Sequence, residues 1–100
     1  MDYKVTFAAQ SQRDLFAIVS FLAEKNPAAA RKLGDSLLDV ALSLAQFPRR
    51  GVVVRARPGL RRLAHPPYHL IFYRVDDTRR LVEVVRFWDG RQDPTLVNLP

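Results

Sequence analysis

Arginine is the residue type in this sequence with the clearest chemical potential, because its distribution along the chain is one-sided. Residues 49–100 contain eleven arginines, no lysine and five acidic side chains, whereas residues 1–48 contain five basic and five acidic ones. The second half therefore carries the whole net charge of +6. A GC-rich genome could favour arginine over lysine, but it would not explain the asymmetry. Guanidinium groups grip phosphate and carboxylate and stack on bases. We therefore predict a polyanionic partner, either a nucleic acid or an acidic protein.

Cleavage of RNA through a 2′-hydroxyl is one chemistry that these arginines could support. It needs a base, an acid and cations that stabilise the pentavalent phosphate. Cations are plentiful, whereas the residues that follow Arg86 are Phe87, Trp88 and Asp89. Asp89 could act as a base, but Arg86 and Arg91 beside it should lower its pKa and weaken it near neutral pH. The cationic candidates are Arg57, Arg61, Arg62, Arg86 and Arg91.

The two histidines, His65 and His69, are weaker candidates for proton transfer. Alternation in a strand groups His69 with Ile71 and Tyr73, which indicates a packed structural side chain. His65 stands beside Pro66-Pro67 and is expected to be a solvated turn residue. Two histidines four residues apart across a diproline do not make a metal site, and no acidic cluster adds ligands. We expect neither a metal nor a cofactor.

Two positions leave alternatives open. Trp88 stands at a strand end between Arg86 and Arg91, where it is either a structural plug or an anchor for an interface or a base. Arg61 and Arg62 are consecutive residues of a strand, so only one of them can face the helical layer. The other is the better candidate for function, and the sequence does not distinguish them.

Hydrophobic periodicity predicts two helices after a first strand over residues 3–7. Ser11 and Asp14 have the spacing of a capping box and predict a helix that ends near Glu24. Asn26-Pro27 has the N-cap and first-turn signature of a second helix, which ends before Pro48. Because the connection between them is short, the two helices should form an antiparallel hairpin.

After Gly51 the periodicity becomes that of strands. We expect a basic connection over residues 52–59 and strands over residues 60–65, 68–75 and 81–88. The second of these is apolar on both faces, as in a central strand. The sequence therefore predicts one two-layer α+β domain over residues 1–100, in which an N-terminal strand and a three-stranded antiparallel meander form one sheet. The hairpin covers one face of this sheet and leaves the other free.

The composition of the sequence restricts the cellular compartment in which we expect the protein. The sequence lacks cysteine, which excludes disulfides and thiolate metal sites. It has neither a secretory signal pattern nor an apolar stretch of the roughly 18 residues that a membrane span needs. We therefore expect a cytoplasmic protein without a membrane partner.

Several segments together resemble the RelE/ParE toxin superfamily. Leu60-Arg61-Arg62-Leu63 and residues 68–75 are similar to its two middle strands. Residues 82–94, which end in Gly90-Arg91-Gln92-Asp93-Pro94, are similar to its closing motif. Arg13-Asp14-Leu15 and Phe47-Pro48 also fit. The resemblance spans essentially the whole chain and has the element order derived above.

The resemblance implies a toxin that an acidic partner antitoxin neutralises, and it leaves two mechanisms open. The RelE-like branch cleaves messenger RNA in the ribosome, whereas the ParE-like branch inhibits DNA gyrase without a known catalytic centre. The hairpin and the ending after Gly90 are more similar to the ParE-like branch. Asp89 also stands where the ribonuclease branch has a histidine, which puts RNA cleavage in doubt.

Our first hypothesis is a ParE-like inhibitor of DNA gyrase that acts by occupancy. The second is a RelE-like, metal-independent endoribonuclease that acts on messenger RNA in the ribosome and uses Arg61, Arg62, Arg86 and Asp89. The third is a degenerate toxin that serves only as an antitoxin-binding or DNA-binding module. A homodimer or a toxin–antitoxin hetero-oligomer is possible under each. The expected target-binding residues are Arg57, Arg61, Arg62, Arg86, Trp88, Asp89 and Arg91.

Overall fold

The sequence folds into two helices packed on a five-stranded sheet. The computed structural model describes residues 2–93 and 96–100. In chain order the elements are β1 (Lys4–Phe7), α1 (Ala9–Ala23), α2 (Pro27–Leu42), a 3-10 turn (Ser43–Ala45), β2 (Val52–Val54), β3 (Arg57–His65), β4 (His69–Asp76) and β5 (Leu81–Asp89). The strand order is β1-β5-β4-β3-β2, in which β1 pairs parallel with β5 and the other neighbours are antiparallel. The predicted α+β class and the central position of β4 are confirmed.

Helix α1 begins three residues earlier than predicted, and the prediction of a capping box at its start was wrong. Its N-cap residue is Ala8. The hydroxyl of Ser11 donates to the carbonyl oxygen of Ala8 at 2.7 Å, and Ser11 is fully buried. Asp14 points to the last strand instead of the helix start. The Asp14 side chain is therefore used for a tertiary contact, which local spacing cannot reveal.

Helix α2 begins as its sequence predicts. The backbone N–H of Ala29 donates to the side-chain oxygen of the N-cap residue Asn26 at 3.0 Å, and Pro27 is the first helical residue. The two helices approach closely at Gly34, where an added Cβ would lie 3.1 Å from a methyl group of Val19. Glycine at this position therefore sets the packing distance within the hairpin.

The connection expected over residues 52–59 contains strand β2 and the start of β3, so this prediction was wrong. Three consecutive valines have the branched side chains that favour a strand, and β2 forms one edge of the sheet. The pairing moves from Val53 opposite Arg61 to Val54 opposite Arg57. Pro58 and Gly59 lie within this interruption, where a residue without an N–H is tolerated.

The helix-side face of the sheet and α2 enclose the main core. Its buried members are Leu37, Ala41, Leu44, Leu63, Ile71, Tyr73, Val82, Val84 and Phe87. A second cluster lies on the opposite face and consists of Leu60, Phe72, Val85 and Trp88. Val97 and Leu99 pack against this second cluster. The expectation of a free second face was therefore wrong, because residues near the C-terminus cover part of it.

An irregularity in β5 allows the strand to place apolar side chains on both faces of the sheet. Tyr73 pairs with Val84, but Phe72 pairs with Arg86, so Val85 is an extra residue in β5. Such a bulge shifts the alternation of side chains by one position. Val84 and Phe87 consequently join the main core, whereas Val85 and Trp88 join the second cluster.

Candidate functional site

Arg86 is held in a buried ion pair with Asp14 of α1. Its Nε and Nη2 donate to the Asp14 carboxylate at 2.6 and 3.0 Å. The two side chains are 12% and 9% exposed. The Nη1 of Arg86 also donates to the carbonyl oxygen of Asn98 at 3.0 Å. Arg86 therefore joins α1, β5 and the C-terminal residues, and its guanidinium is turned toward the protein.

The position at which β1 ends explains why β5 needs the Asp14 carboxylate. The pairing of β1 with β5 ends at Phe7 opposite Val84, and Phe87 lies beyond it. The backbone N–H of Phe87 donates to the Asp14 carboxylate at 3.1 Å. The Asp14 carboxylate thus accepts hydrogen bonds from two groups, the guanidinium of Arg86 and the backbone N–H of Phe87, which lies beyond the end of β1.

Asp89 forms an ion pair with Arg91 and is a poor candidate for a base. The Nε and Nη2 of Arg91 lie 3.1 and 2.7 Å from the Asp89 carboxylate, which also accepts the backbone N–H of Arg91 at 2.9 Å. The hydrogen bonds from the Arg91 side chain hold the pKa of Asp89 below its usual value. The guanidinium carbon of Arg91 lies 3.8 Å from the centre of the Tyr68 ring. The expected lowering of the Asp89 pKa is confirmed, with Arg91 as its main cause.

Trp88 has the position of a structural plug. It is 9% exposed and packs in the second cluster with Leu60, Phe72 and Val85. Its indole Nε1 is buried and has no hydrogen-bond partner among residues 2–93 and 96–100. Trp88, Asp89 and Arg91 are therefore not presented together, because the indole is buried while the ion pair lies at the surface.

The structure distinguishes Arg61 from Arg62. Arg61 pairs with Tyr73 in the sheet and so faces the helical layer, where its Nη1 donates to the carbonyl oxygen of Gly51 at 2.8 Å. Arg62 pairs with Phe72 and lies on the opposite face, where it is exposed. Arg57 is exposed as well. Arg62 is therefore the member of the pair that is free to meet a partner on that face.

The expected solvated position of His65 was wrong, whereas the buried position of His69 is confirmed. Strand β3 continues to His65, which pairs with His69 and is 9% exposed. His69 is 4% exposed, and burial lowers its pKa against the opposing effect of Asp89. The Tyr73 hydroxyl is also buried and accepts the backbone N–H of Gly51 at 2.8 Å. Burial raises the pKa of Tyr73.

A groove of about 850 Å³ between the two helices is a feature that the sequence did not reveal. Its lining is mostly apolar and includes Leu15, Phe16, Val19 and Leu38. Phe16 is 75% exposed. The available signal was that Phe16 lies outside the stripe formed by Leu15, Ile18, Val19 and Leu22. An exposed aromatic side chain beside an apolar groove is typical of a protein–protein contact.

Neither metal chemistry nor a membrane span has support in the described part of the chain. Within residues 2–93 and 96–100, no three His, Asp or Glu side chains are arranged to hold a metal ion. No helix in those ranges is long and apolar enough to cross a bilayer. Pro94, the last residue of the closing motif, lies outside the described residues.

Comparisons of sequence identify similar proteins over nearly the whole chain. Residues 5–94 match the family described as ParE toxin of type II toxin-antitoxin system, parDE. Toxin RelE2 of Caulobacter vibrioides is 35% identical over 83 residues, which are 83% of this chain and 90% of that protein. Toxin RelE1 of the same organism is 34% identical over 94 residues, which are 90% of this chain and 96% of that protein.

Two solved structures with the same fold come from toxin–antitoxin systems. A chain of the chromosomal ParDE system from P. aeruginosa superimposes with a TM-score of 0.75 at 19% identity, covering 87% of this chain and 95% of that one. A chain of the toxin–antitoxin complex RelBE2 from Mycobacterium tuberculosis has a TM-score of 0.67 at 26% identity, covering 91% of this chain and 100% of that one. These likenesses agree with the element order and sheet topology described above.

Proposed function

Since the chain belongs to the ParE toxin family of type II toxin–antitoxin systems, within the wider RelE/ParE superfamily, we propose that it inhibits DNA gyrase by binding to it. The chain is the toxin of such a system, and an antitoxin is its partner. The choice of gyrase rests on the match to the ParE family together with the chemistry of the arginine surface. That surface is suited to recognition and poorly suited to proton transfer.

The observation that carries the proposal is that the candidates for proton transfer near the arginines are ion-paired or buried. Within the described residues, Asp89 is neutralised by Arg91, and the Tyr73 hydroxyl is buried beneath the loop that contains Gly51. His65 and His69 are buried on the helix-side face. A ribonuclease needs an accessible base near a cation. A protein that acts by occupancy needs only shape and charge.

The degree of burial and the contacts of the seven candidate residues for target binding divide them into three groups. Arg57, Arg62 and Arg91 are exposed and form the proposed contact set. Asp89 orients Arg91 through its ion pair. The other three candidates, Arg61, Arg86 and Trp88, are partly or fully buried and act by holding the surface in place. Exposed arginines are frequent anchors in protein interfaces because the planar guanidinium binds carboxylates in pairs of hydrogen bonds.

The division of charge between the two halves supports an acidic antitoxin that contacts both. The half with the helical hairpin is neutral and contains the apolar groove, whereas the half with the strands carries +6. A disordered segment that folds onto such a surface gains apolar burial and charge pairing together. We propose that an apolar helix of the antitoxin lies in the groove and that carboxylates nearby in its sequence reach the exposed arginines.

A second candidate function is ribosome-dependent cleavage of messenger RNA. It is favoured by the names of the two curated relatives, Toxin RelE1 and Toxin RelE2, which are 34% and 35% identical. This activity would require Arg61, Arg62 or Arg86 to stabilise the phosphate, with Asp89 as the base. A degenerate toxin that retains only antitoxin or DNA binding is the third candidate.

A supercoiling assay with purified gyrase tests the first proposal against the others. We expect the wild-type protein to inhibit supercoiling and to leave an in vitro translation reaction unaffected. Arg62→Ala should weaken the inhibition by roughly ten-fold, the effect of losing about 1.4 kcal/mol of binding. Arg79→Ala is the matched control, because Arg79 is an exposed arginine in the turn between β4 and β5. Cleavage of messenger RNA during translation, without inhibition of gyrase, would replace the first proposal with the second.

A further inference from the structure

Strand β2 forms an edge of the sheet, and its outer side is open. It pairs with β3, and in the described part of the chain no other strand lies beyond it. An edge strand directs some of its backbone N–H and C=O groups outward, where a segment of another chain can pair with them. Val52 and Val53 are 58% and 51% exposed. Val52 pairs with Arg62 and Val53 with Arg61, so each face of this edge presents one exposed valine.

The start of the β2 edge is fixed by contacts from within the protein. Gly51 is buried, and its backbone N–H donates to the Tyr73 hydroxyl at 2.8 Å. Its carbonyl oxygen accepts from Nη1 of Arg61 at 2.8 Å. A Cβ at Gly51 would lie 2.8 Å from the carbonyl oxygen of Arg62, so the close approach requires glycine. Because the edge is already ordered, a partner strand would pair with it at a reduced entropic cost.

The charge around β2 is positive and uncompensated. Residues 40–75 contain seven arginines and no acidic side chain. Arg55, Arg57 and Arg62 are exposed, and none of them forms an ion pair with another described residue. Arg55 follows β2 directly, whereas Arg57 and Arg62 lie opposite β2 on β3. A segment that approaches the edge therefore meets a positive potential along its whole length.

Three kinds of occupant differ in how much of this edge they would use. A second copy of the chain would place like charges opposite one another, which opposes pairing. A nucleic acid would bind the arginines but would leave the outward backbone groups and the valines without partners. An extended acidic peptide segment would use the backbone groups, the valines and the arginines together. The observations therefore favour a protein segment.

The arrangement of side chains on the edge predicts the pattern of that segment. Val54 packs against the second cluster, and it pairs with Arg57. Arg57 therefore lies on the same face of the sheet as Arg62, opposite the helical layer. Side chains of an added strand alternate between the two faces. Every second residue should be acidic, on the face with the two arginines, and the residues between them should be apolar, beside Val53.

We propose that the β2 edge binds an extended segment of gyrase in which acidic and apolar side chains alternate. This inference rests on gyrase being the target, as proposed above, and names the strand that meets it. Gyrase is the source because β2 is continuous with Arg57 and Arg62 of the proposed contact set. The groove assigned to the antitoxin is lined by Phe7 of β1, at the other edge of the sheet. Four strand spacings separate these edges, which is roughly 19 Å.

A model peptide tests the edge without gyrase. The probe is an acetylated and amidated hexapeptide in which glutamate and valine alternate, added to the full chain in an NMR titration. The backbone amide signals of residues 51–55 should shift, whereas those of α1 should not. The same peptide with lysine in place of glutamate should have no effect, and added salt should weaken the binding of the acidic one. Unchanged signals of residues 51–55 would overturn the proposal.

A charge-reversed variant connects the edge to gyrase. Arg55→Glu should weaken both peptide binding and inhibition of supercoiling by about ten-fold, because an attractive charge becomes a repulsive one. Arg79→Glu is the matched control, since it reverses an exposed arginine in the turn between β4 and β5, and it should leave both close to wild type. The affinity of Arg55→Glu for the antitoxin should fall less than its inhibition of gyrase. Thermal unfolding checks that both variants are folded.

The outcomes separate failure of this inference from failure of the target proposal. Equal inhibition of gyrase by the wild type and by Arg55→Glu would overturn the edge contact but leave gyrase as the target. No inhibition by the wild type would overturn the target proposal and with it the assignment of the segment to gyrase. An equal loss of antitoxin affinity in Arg55→Glu, dimerisation through residues 51–55, or tighter binding of an oligonucleotide there would show another occupant and overturn the inference.

Discussion

Asp14 and Arg86 are 72 residues apart in sequence, yet the carboxylate of the first binds the guanidinium of the second at 2.6 Å within the protein. The same carboxylate accepts the backbone N–H of Phe87, so α1 is fixed to β5 at the point where β1 ends. An arginine that the sequence offered as a functional cation is thus the partner of an acid that the sequence offered as a helix cap. Both residues serve the same long-range contact.

Removal of either partner should destabilise the protein strongly. Arg86→Ala leaves the Asp14 carboxylate buried without its counter-charge, and breaking such a pair costs about 3–5 kcal/mol. Urea unfolding of Arg86→Ala and of Arg79→Ala, an exposed arginine, gives the comparison. In a double-mutant cycle, Asp14→Ala with Arg86→Ala should cost less than the sum of the single changes. A loss at Arg86→Ala no larger than that at Arg79→Ala would show that the pair does not stabilise the fold.

Replacement of Asp89 should distinguish a binder from a ribonuclease. Asp89→Asn removes the charge but keeps the shape, so an inhibitor that acts by occupancy should remain toxic in cells. Arg91→Ala removes a proposed contact and should be tolerated by the host, with a loss of target affinity on the order of 2 kcal/mol. A ribonuclease that uses Asp89 as its base would instead lose orders of magnitude in rate in Asp89→Asn. Growth after induction, with antitoxin binding as a check on folding, decides between them.

The two consecutive arginines of β3 should have different roles. Arg62→Ala should weaken binding to gyrase or to the antitoxin while leaving the unfolding midpoint close to wild type, because Arg62 is exposed. Arg61→Ala should lower stability by about 1 kcal/mol through loss of its hydrogen bond to Gly51. Calorimetric titration together with thermal unfolding measures both quantities. The reverse pattern would assign the functional surface to the helix side.

The groove between the helices can be tested with an exposed aromatic residue. Phe16→Ser should reduce antitoxin affinity by about ten-fold or more with little change in stability, since the side chain is 75% exposed and lines the groove. Phe47→Ser is a matched control, because Phe47 is 60% exposed and lies after the 3-10 turn, outside the groove lining. Equal losses in the two variants would mean that the groove is not the contact.

The ion pair of Asp89 should make the stability of the protein fall in acid. Its pKa is held below the usual value by Arg91, so the folded state keeps the charged form more readily than the unfolded state does. This contribution is present above the unfolded pKa of about 3.9 and is lost as the pH falls below it. Urea midpoints of the wild type should therefore fall below about pH 4 more steeply than those of Asp89→Asn. Parallel slopes for the two proteins would contradict the assignment.

The sequence was informative where structure depends on neighbours along the chain. Asn26-Pro27 begins α2 as predicted, and the continuous apolar run of β4 indicated a central strand. Prediction failed where a side chain binds a distant element. Asp14 had the right spacing for a cap but binds β5, and His65 stands beside a proline turn but binds Ser36 of α2. The bulge at Val85 and the cover provided by Val97 and Leu99 likewise depend on contacts across the sheet.

The parallel pairing of β1 with β5 constrains the order in which a nascent chain can acquire this structure. The first strand leaves the ribosome long before residues 81–89 are synthesised, and its backbone pairs with those residues. Until they emerge, α1 also lacks the guanidinium that compensates Asp14. Contacts between such distant segments form late, because a long loop must close first. A growing chain therefore remains incompletely folded until residues 81–89 have emerged, and the cell meets the complete toxin surface only after that point.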